Sequence, residues 1–220
     1  MGREILTVAQ RTALEAIAAA PELRHFYLSG GTALAAYYLR HRFSDDLDFF
    51  TAGDADAMFL RAFAEKLKTA LGATAAHFQR LYDRNQLFFR LRADAPEELK
   101  IEFTRYPFPQ FEEPSLHDGV RIDSLRDIAA NKLAALLDRF EPKDFVDLYF
   151  LLHRFALADI RRDAEKKFGT AIDPIVLGGE LMKVKRIAAL PRMVERLTVE
   201  ELMNFYVERA RETGRAVFSE

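Results

Sequence analysis

Three short stretches bring together residue types that could hold a divalent cation next to an anion. The first is Ser44-Asp45-Asp46-Leu47-Asp48-Phe49-Phe50. On a strand, alternate residues face the same way about 6.6 Å apart. Asp46 and Asp48 should then project together, with Leu47 and Phe49 on the opposite face. Two carboxylates that close repel unless a cation lies between them. Hard oxygen ligands suit magnesium, and two ions ~3.5–4 Å apart can be bridged by such a pair. The plainer alternative is a solvated acidic turn, but the Phe-Phe run that follows directly sets these acids at the rim of a core. The second stretch is Ser29-Gly30-Gly31-Thr32. Glycines between a strand and a helix let backbone N–H groups approach an anion, and the helix N-terminus adds a favourable dipole; a simple tight turn fits the same residues. The third is Leu99-Lys100-Ile101-Glu102-Phe103-Thr104. Here Ile101 and Phe103 share one face, and Lys100, Glu102 and Thr104 the other, as in any half-exposed strand. Its interest is the order along the chain: glycine turn, paired acids, then a single acid on a later strand.

The elements that must position these residues follow from the hydrophobic pattern. A first helix over the opening 20 residues, with Val8, Leu14, Ile17 and Ala18 near helical spacing, should stop at Pro21. Phe26-Tyr27-Leu28 reads as a strand, Gly30-Gly31 as its turn, and Thr32 to Leu39 as a helix. Phe49-Phe50 is the body of a second strand, and Ala55 to Leu71 an amphipathic helix. Gln86 to Leu91 and Leu99 to Tyr106 read as strands separated by a polar turn around Ala95-Pro96. After about Gly119 the pattern changes. Ser124-Leu-Arg-Asp127 forms a capping box opening a helix to Arg139, and Pro142 starts another that runs to about His153. The remainder looks helical almost throughout. An α+β molecule follows, with residues 1–122 an α/β lobe, residues 123–220 a helical lobe, and a functional cleft between them.

Two charges in the helical half stand out. On the helix from Ser124, Leu125, Ile128, Ala129, Leu133 and Leu136 form a stripe with Lys132 in its middle. A core-facing lysine must snorkel or find an anion. In the next helix Asp147 is the only charge between Phe145 and Leu152, so it should be paired or functional. Asp147 is therefore expected to contact Lys132 or Arg139 where the lobes meet.

Composition narrows the classes. The 220 residues are 50% hydrophobic and 30% charged, which excludes a disordered chain. The absence of cysteine excludes disulfides, thiolate zinc sites and a cysteine nucleophile. Apolar runs such as Ala33 to Leu39 fall far short of the ~20 residues of a membrane span, and no signal-peptide block opens the chain, so a soluble, cytoplasmic protein with no membrane partner is expected. A net charge of −2 offers no global field for nucleic acid. The five histidines show no metal spacing, and there is no GxSxG elbow or GxxxxGK[ST] loop. Arg161-Arg162, Lys166-Lys167 and Lys183 to Arg192 are basic stretches where phosphate contacts to an RNA would be sought.

Gly30-Gly31, Asp46-x-Asp48 and Glu102 resemble the three-part signature of the DNA polymerase β-like nucleotidyltransferase superfamily. More narrowly, residues 26–50, "FYLSGGTALAAYYLRHRFSDDLDFF", and residues 127–152, "DIAANKLAALLDRFEPKDFVDLYFLL", resemble the AbiEii/AbiGii-type abortive-infection nucleotidyltransferase toxins. Many superfamily members have Gly-Ser where this chain has Gly30-Gly31; Ser29 or Thr32 could substitute. The resemblance implies a polymerase β-like mixed sheet with flanking helices and a C-terminal helical lobe. It further implies transfer of an NMP from an NTP to an acceptor hydroxyl, on a tRNA end or another macromolecule. Asp46, Asp48 and Glu102 would hold Mg2+, with two ions, and Ser29, Gly30, Gly31, Thr32 and Lys132 would bind the nucleotide. Lys132 and Asp147 would also be functional positions, and a genetically linked antitoxin would be a partner. Small-molecule transfer, as in antibiotic-modifying relatives, and a catalytically inactive nucleotide-binding regulatory module are the alternatives.

Overall fold

The first helix, α1 (Val8–Ala18), opens at a capping box in which the Thr7 hydroxyl accepts from the Gln10 N–H and the Gln10 side chain accepts from the Thr7 N–H. Its buried face is Gln10, Ala13, Leu14 and Ile17, whereas Val8, expected on the apolar stripe, is 72% exposed. Val8 is the first residue of the helix and points to solvent. The computed structural model describes residues 4–92 and 98–217, with side chains as far as Thr213. The turn expected around Ala95-Pro96 lies outside the described residues.

By its contacts the chain divides into two units. One comprises the described residues of Met1–Tyr38 and Phe43–Ser124, and the other those of Leu39–Arg42 and Leu125–Glu220. The first unit carries a seven-stranded mixed sheet: β1 (Tyr27–Ser29), β2 (Leu47–Thr51), β3 (Ala75–Leu81), β4 (Arg84–Arg90), β5 (Glu98–Arg105), β6 (Ser115–His117) and β7 (Val120–Ile122), in the order β3-β4-β5-β2-β1-β7-β6. β1 runs parallel to β7, and β2 parallel to β5; the other pairs are antiparallel. β3, β6 and β7 have no counterpart in the sequence reading. β6 and β7 are three residues each, too short to show a period of two.

Alternation sorts the sheet into two faces. Leu47 and Phe49 of β2, Leu87 and Phe89 of β4, and Ile101 and Phe103 of β5 are fully buried. Phe49 and Phe103 stack with centroids 5.2 Å apart. Helix α3 (Ala57–Ala70), capped by the Asp56 carboxylate accepting from the Met58 and Phe59 N–H groups, packs on β3 and β4, and α1 packs on β7. Burying one such ring contributes roughly 1.5–3 kcal/mol. The opposite face of the same strands carries the polar residues.

After β1 the chain enters α2 (Gly30–Ala33), which continues as a π-helical turn over Leu34–Leu39. The second unit is helical: α4 (Leu125–Asp138), α5 (Pro142–Leu151), α6 (Leu157–Phe168), α7 (Pro174–Met182) and α8 (Val199–Val217). Pro142 and Pro174 both stand in the first turn of their helices, where no N–H is needed. Among the described residues no helix is long and apolar enough to cross a membrane.

Candidate active site

The polar face of β2 and β5 gathers most of the residues singled out by sequence. β2 and β5 pair so that Asp48 stands in register with Glu102, and on the other side Asp48 is in register with Ser29 of β1. Strands are about 4.8 Å apart, so these are lateral neighbours. Asp46 precedes β2 by one residue. Asp46 and Asp48 are both half-buried while Leu47 and Phe49 between and after them are sealed in the core. That is the alternation expected from the sequence.

Gly30 backs directly onto this face. It has φ +68°, and a Cβ built there would lie 2.8 Å from Asp48 Oδ2. Both the backbone conformation and the close carboxylate therefore require glycine. The loop before Asp46 is fixed from two sides. Gln10 Nε2 donates to the carbonyl of Ser44 at 2.8 Å and of Asp45 at 3.1 Å, and the Thr32 hydroxyl donates to the carbonyl of Asp46. Thr32, expected at the nucleotide, here ties down the acidic loop. Ser29 is fully buried, and its hydroxyl donates to Asp123 Oδ2 at 2.7 Å.

Glu102 is held by four side chains. It lies 3.1 Å from Lys100 Nζ, accepts from Gln86 Nε2 at 2.8 Å and from the Thr104 hydroxyl at 2.9 Å, and faces Arg84 at 3.8 Å. Burial alone would raise its carboxyl, but Gln86, Lys100 and Thr104 hold it below the usual glutamate value. Burial likewise opposes charge on Lys100, yet Glu102, Asp48 and Asp46 together raise the ammonium above the usual lysine value. A single cation thus senses all three expected carboxylates. Among the described residues no group of three or more His, Asp or Glu side chains is drawn together tightly enough to hold a metal as it stands. The donor set nevertheless suits magnesium, because Asp46 and Asp48 offer hard oxygens and Gly30 leaves beside Asp48 Oδ2 the space that any side chain would fill.

The other two expected residues belong to a different cluster, in the second unit. Lys132 Nζ lies 2.9 Å from Asp144 Oδ1 and 2.6 Å from Asp147 Oδ2. Arg42 reaches Asp147 through Nε at 2.6 Å and its terminal nitrogen at 2.7 Å, and His41 Nε2 lies 2.8 Å from Asp147 Oδ1. Lys132 and Asp147 meet as expected. Arg139 pairs with Asp144 instead, at 2.9 Å. Lys132, expected to reach nucleotide phosphates, spends its ammonium on two aspartates and is 6% exposed. Because a carboxylate only accepts, His41 donates from Nε2, which leaves its buried Nδ1 unpartnered.

Sequence reasoning missed Gln10, Asp123, His41, Arg42 and Asp144. Asp144 and Asp147 are three residues apart on one helix, a spacing that signals a shared face, and Thr7-x-x-Gln10 has the capping-box spacing; Asp123, His41 and Arg42 carry no local signal. The basic stretches are largely occupied internally. Arg161 pairs with Glu165, Arg162 with Asp159, Lys167 with buried Asp127 at 2.7 Å, and Lys183 with Glu180, while Arg186 lies over the Phe140 ring.

A polymerase β-like sheet with a glycine turn backed onto one of two neighbouring aspartates defines the nucleotidyltransferase class. The family model described as "Nucleotidyl transferase AbiEii toxin, Type IV TA system" matches residues 12–213, and the chain belongs to that family. It is 34% identical over 166 residues to the protein aq_aa25 of Aquifex aeolicus (strain VF5), covering 72% of this chain and 74% of that one. The structure of JHP933 from Helicobacter pylori superposes with a TM-score of 0.60 at 25% identity, over 96% of this chain and 91% of that chain. The nucleotidyltransferase toxin MenT4 (Rv2826c) of Mycobacterium tuberculosis H37Rv shares the fold, with a TM-score of 0.57 at 17% identity over 94% of this chain and 80% of that chain.

Proposed function

We infer that this chain transfers an NMP from an NTP to an acceptor hydroxyl, with Mg2+, as the toxin of a toxin–antitoxin or phage-defence pair whose acceptor is an RNA such as a tRNA end. The observation that carries this reading is the register of Asp48 with Glu102 on one sheet face, with Gly30 held against the Asp48 carboxylate. Asp46 and Asp48 would hold the metal, with Glu102 as the third carboxylate. Bound there, Mg2+ would neutralise the triphosphate and the charge that develops as pyrophosphate leaves.

The chain's own residues supply position and proton transfer. The Gly30-Gly31 turn would offer its backbone N–H groups to phosphate oxygens, with Ser29 and Thr32 bracing it through Asp123 and the Asp46 carbonyl. The acceptor oxygen attacks the α-phosphorus, the new O–P bond forms, and the bond to the β-phosphate oxygen breaks. Glu102, ionised at neutral pH, takes the hydroxyl proton. Lys132 and Asp147 act as positioning residues: they anchor His41 and Arg42, which precede Asp46 by five and four residues. A cognate antitoxin is the partner that membership of a type IV family implies.

The test is incubation with each labelled NTP, magnesium and a cell extract, beside the Asp46→Ala/Asp48→Ala variant. Label should appear on RNA and vanish in the variant. Label on a small hydroxylated compound, or none with any NTP, would overturn the reading.

A further inference from the structure

The catalytic face does not stop at Glu102. β5 continues into β4 and β3 in strict antiparallel register, so Glu102 stands opposite Gln86, and Gln86 opposite Gln79. One step along, Lys100 stands opposite Phe88, and Phe88 opposite His77. Side-chain contacts confirm the shared face: Gln86 bonds Glu102, and the Phe88 and His77 rings lie 6.2 Å apart at 31°. Arg84 and Arg90 flank the row on the same face, with Glu98 opposite Arg90. Three strand spacings of about 4.8 Å carry this shelf roughly 14 Å from Asp48.

Its composition differs from that of an ordinary wet sheet face. Phe88 is partly exposed, and His77, Gln79 and Arg90 are exposed; Arg84 is 60% exposed. The hydrophobic alternates Phe78, Leu87 and Phe89 face α3 and the core, so Phe88 is not needed to close it. What remains is two neighbouring aromatic rings tilted 31° to one another, two carboxamides able to bond base edges, and arginines at the margins. Stacked bases prefer such faces whatever their sequence, and flanking arginines track phosphates. The basic stretches of the second unit are largely engaged by ion pairs or, for Arg186, by the Phe140 ring, whereas this shelf is in direct register with Asp48 and Glu102.

We propose that the β3–β4–β5 shelf seats the acceptor as a single-stranded polynucleotide, with a base stacked on Phe88 and His77 and its backbone passing Arg84 toward Glu102. The proposal rests on the nucleotidyltransferase reading and adds to it where the acceptor lies. Duplex nucleic acid, whose bases are already stacked, does not fit a stacking shelf.

The experiment measures anisotropy of fluorescein-labelled ten-nucleotide RNA and DNA single strands, and of an RNA hairpin stem, with NTP and magnesium omitted. A single strand should bind and the stem should bind at least ~10-fold more weakly. Phe88→Ala should weaken strand binding about 5- to 150-fold, the range for one stacked base, while Phe88→Trp keeps it. Arg84→Gln should lower the slope of log K against log salt by about 0.7, one phosphate contact for a single strand. Thermal melts establish that each variant is folded. No binding of either strand, equal binding by folded Phe88→Ala, or equal binding of the stem overturns the proposal. Because no transfer is measured, absent strand binding with transfer intact removes only the shelf, whereas strand binding without any transfer removes only the catalytic reading.

Discussion

Gly30 illustrates how a single residue serves both backbone and site. A left-handed conformation costs a residue with a Cβ about 1–2 kcal/mol, and here the Cβ would also press on Asp48 Oδ2 at 2.8 Å. Gly30→Ala should therefore lose roughly that stability in urea titrations and lose more activity than stability, since the carboxylate must move. An Ala variant with wild-type kcat would refute the close approach. Lys100 makes a second residue-scale prediction. It is the principal cation on Glu102. Lys100→Met leaves burial opposed by the Gln86 and Thr104 hydrogen bonds and the more distant, exposed Arg84, so the Glu102 carboxyl rises and the acid limb of the pH–rate profile moves to higher pH. An unmoved limb would mean that Glu102 is not the titrating base. The spacing of Asp46 and Asp48, and their alternation with Leu47 and Phe49, could be read from the chain because strand periodicity is local. That Lys100 senses all three acids could not, because it depends on β2 lying beside β5.

At the scale of elements, the acidic loop is held by α1 and α2, and the Leu39–Arg42 strap by α5. Gln10→Ala removes both side-chain bonds to the carbonyls of Ser44 and Asp45. It should cost ~1–3 kcal/mol in stability for the carbonyls left unpaired, and it should lower kcat beyond that. Fully retained kcat would show that the loop needs no such brace. In the strap, removing one partner of a buried ion pair costs about 3–5 kcal/mol, so Asp147→Asn should shift chemical denaturation by that order. The same cluster sets a pH dependence. Burial holds His41 below the usual histidine value against its bond to Asp147. A group depressed in the folded state supports folding fully above its unfolded value, about 6.5, and loses that support as pH falls. Burial would raise the Asp147 carboxyl, but Lys132, Arg42 and His41 hold it well below its usual value, so its support is lost only below about pH 4. Melting temperature should fall between pH 7 and 5 in the wild type and stay flatter in His41→Gln. Identical profiles would remove His41 from the account.

For the whole molecule, the telling feature is that Leu39–Arg42, between Tyr38 and Phe43 of the sheet unit, belongs by its contacts to the helical unit. A chain ending at Ser124 would keep the strap but lose Asp147, leaving two basic side chains without their carboxylate. It should show a broad melt by circular dichroism and low yield, while the full chain melts cooperatively. A sharp melt from the short chain would show that the strap is dispensable. The unit assignment was invisible in the sequence, where His41 and Arg42 read as part of the connection between the first glycine turn and the acids.

What the amino-acid order determined alone was whatever depends on near neighbours. That includes the strand through Phe49-Phe50, the helix opened by Pro142, the amphipathic helix read over Ala55 to Leu71, the facing of Asp46 with Asp48, and the two lone charges in the helical half. The signature of acids and glycines also sufficed to indicate the nucleotidyltransferase family. Only the tertiary structure decided which carboxylate meets which cation. Pairings such as Asp147 with Arg42, Glu102 with Gln86 and Ser29 with Asp123 span from 16 to 105 residues. No local period encodes a contact at that range; strand register and helix packing create it, and the electrostatics of the site follow from them.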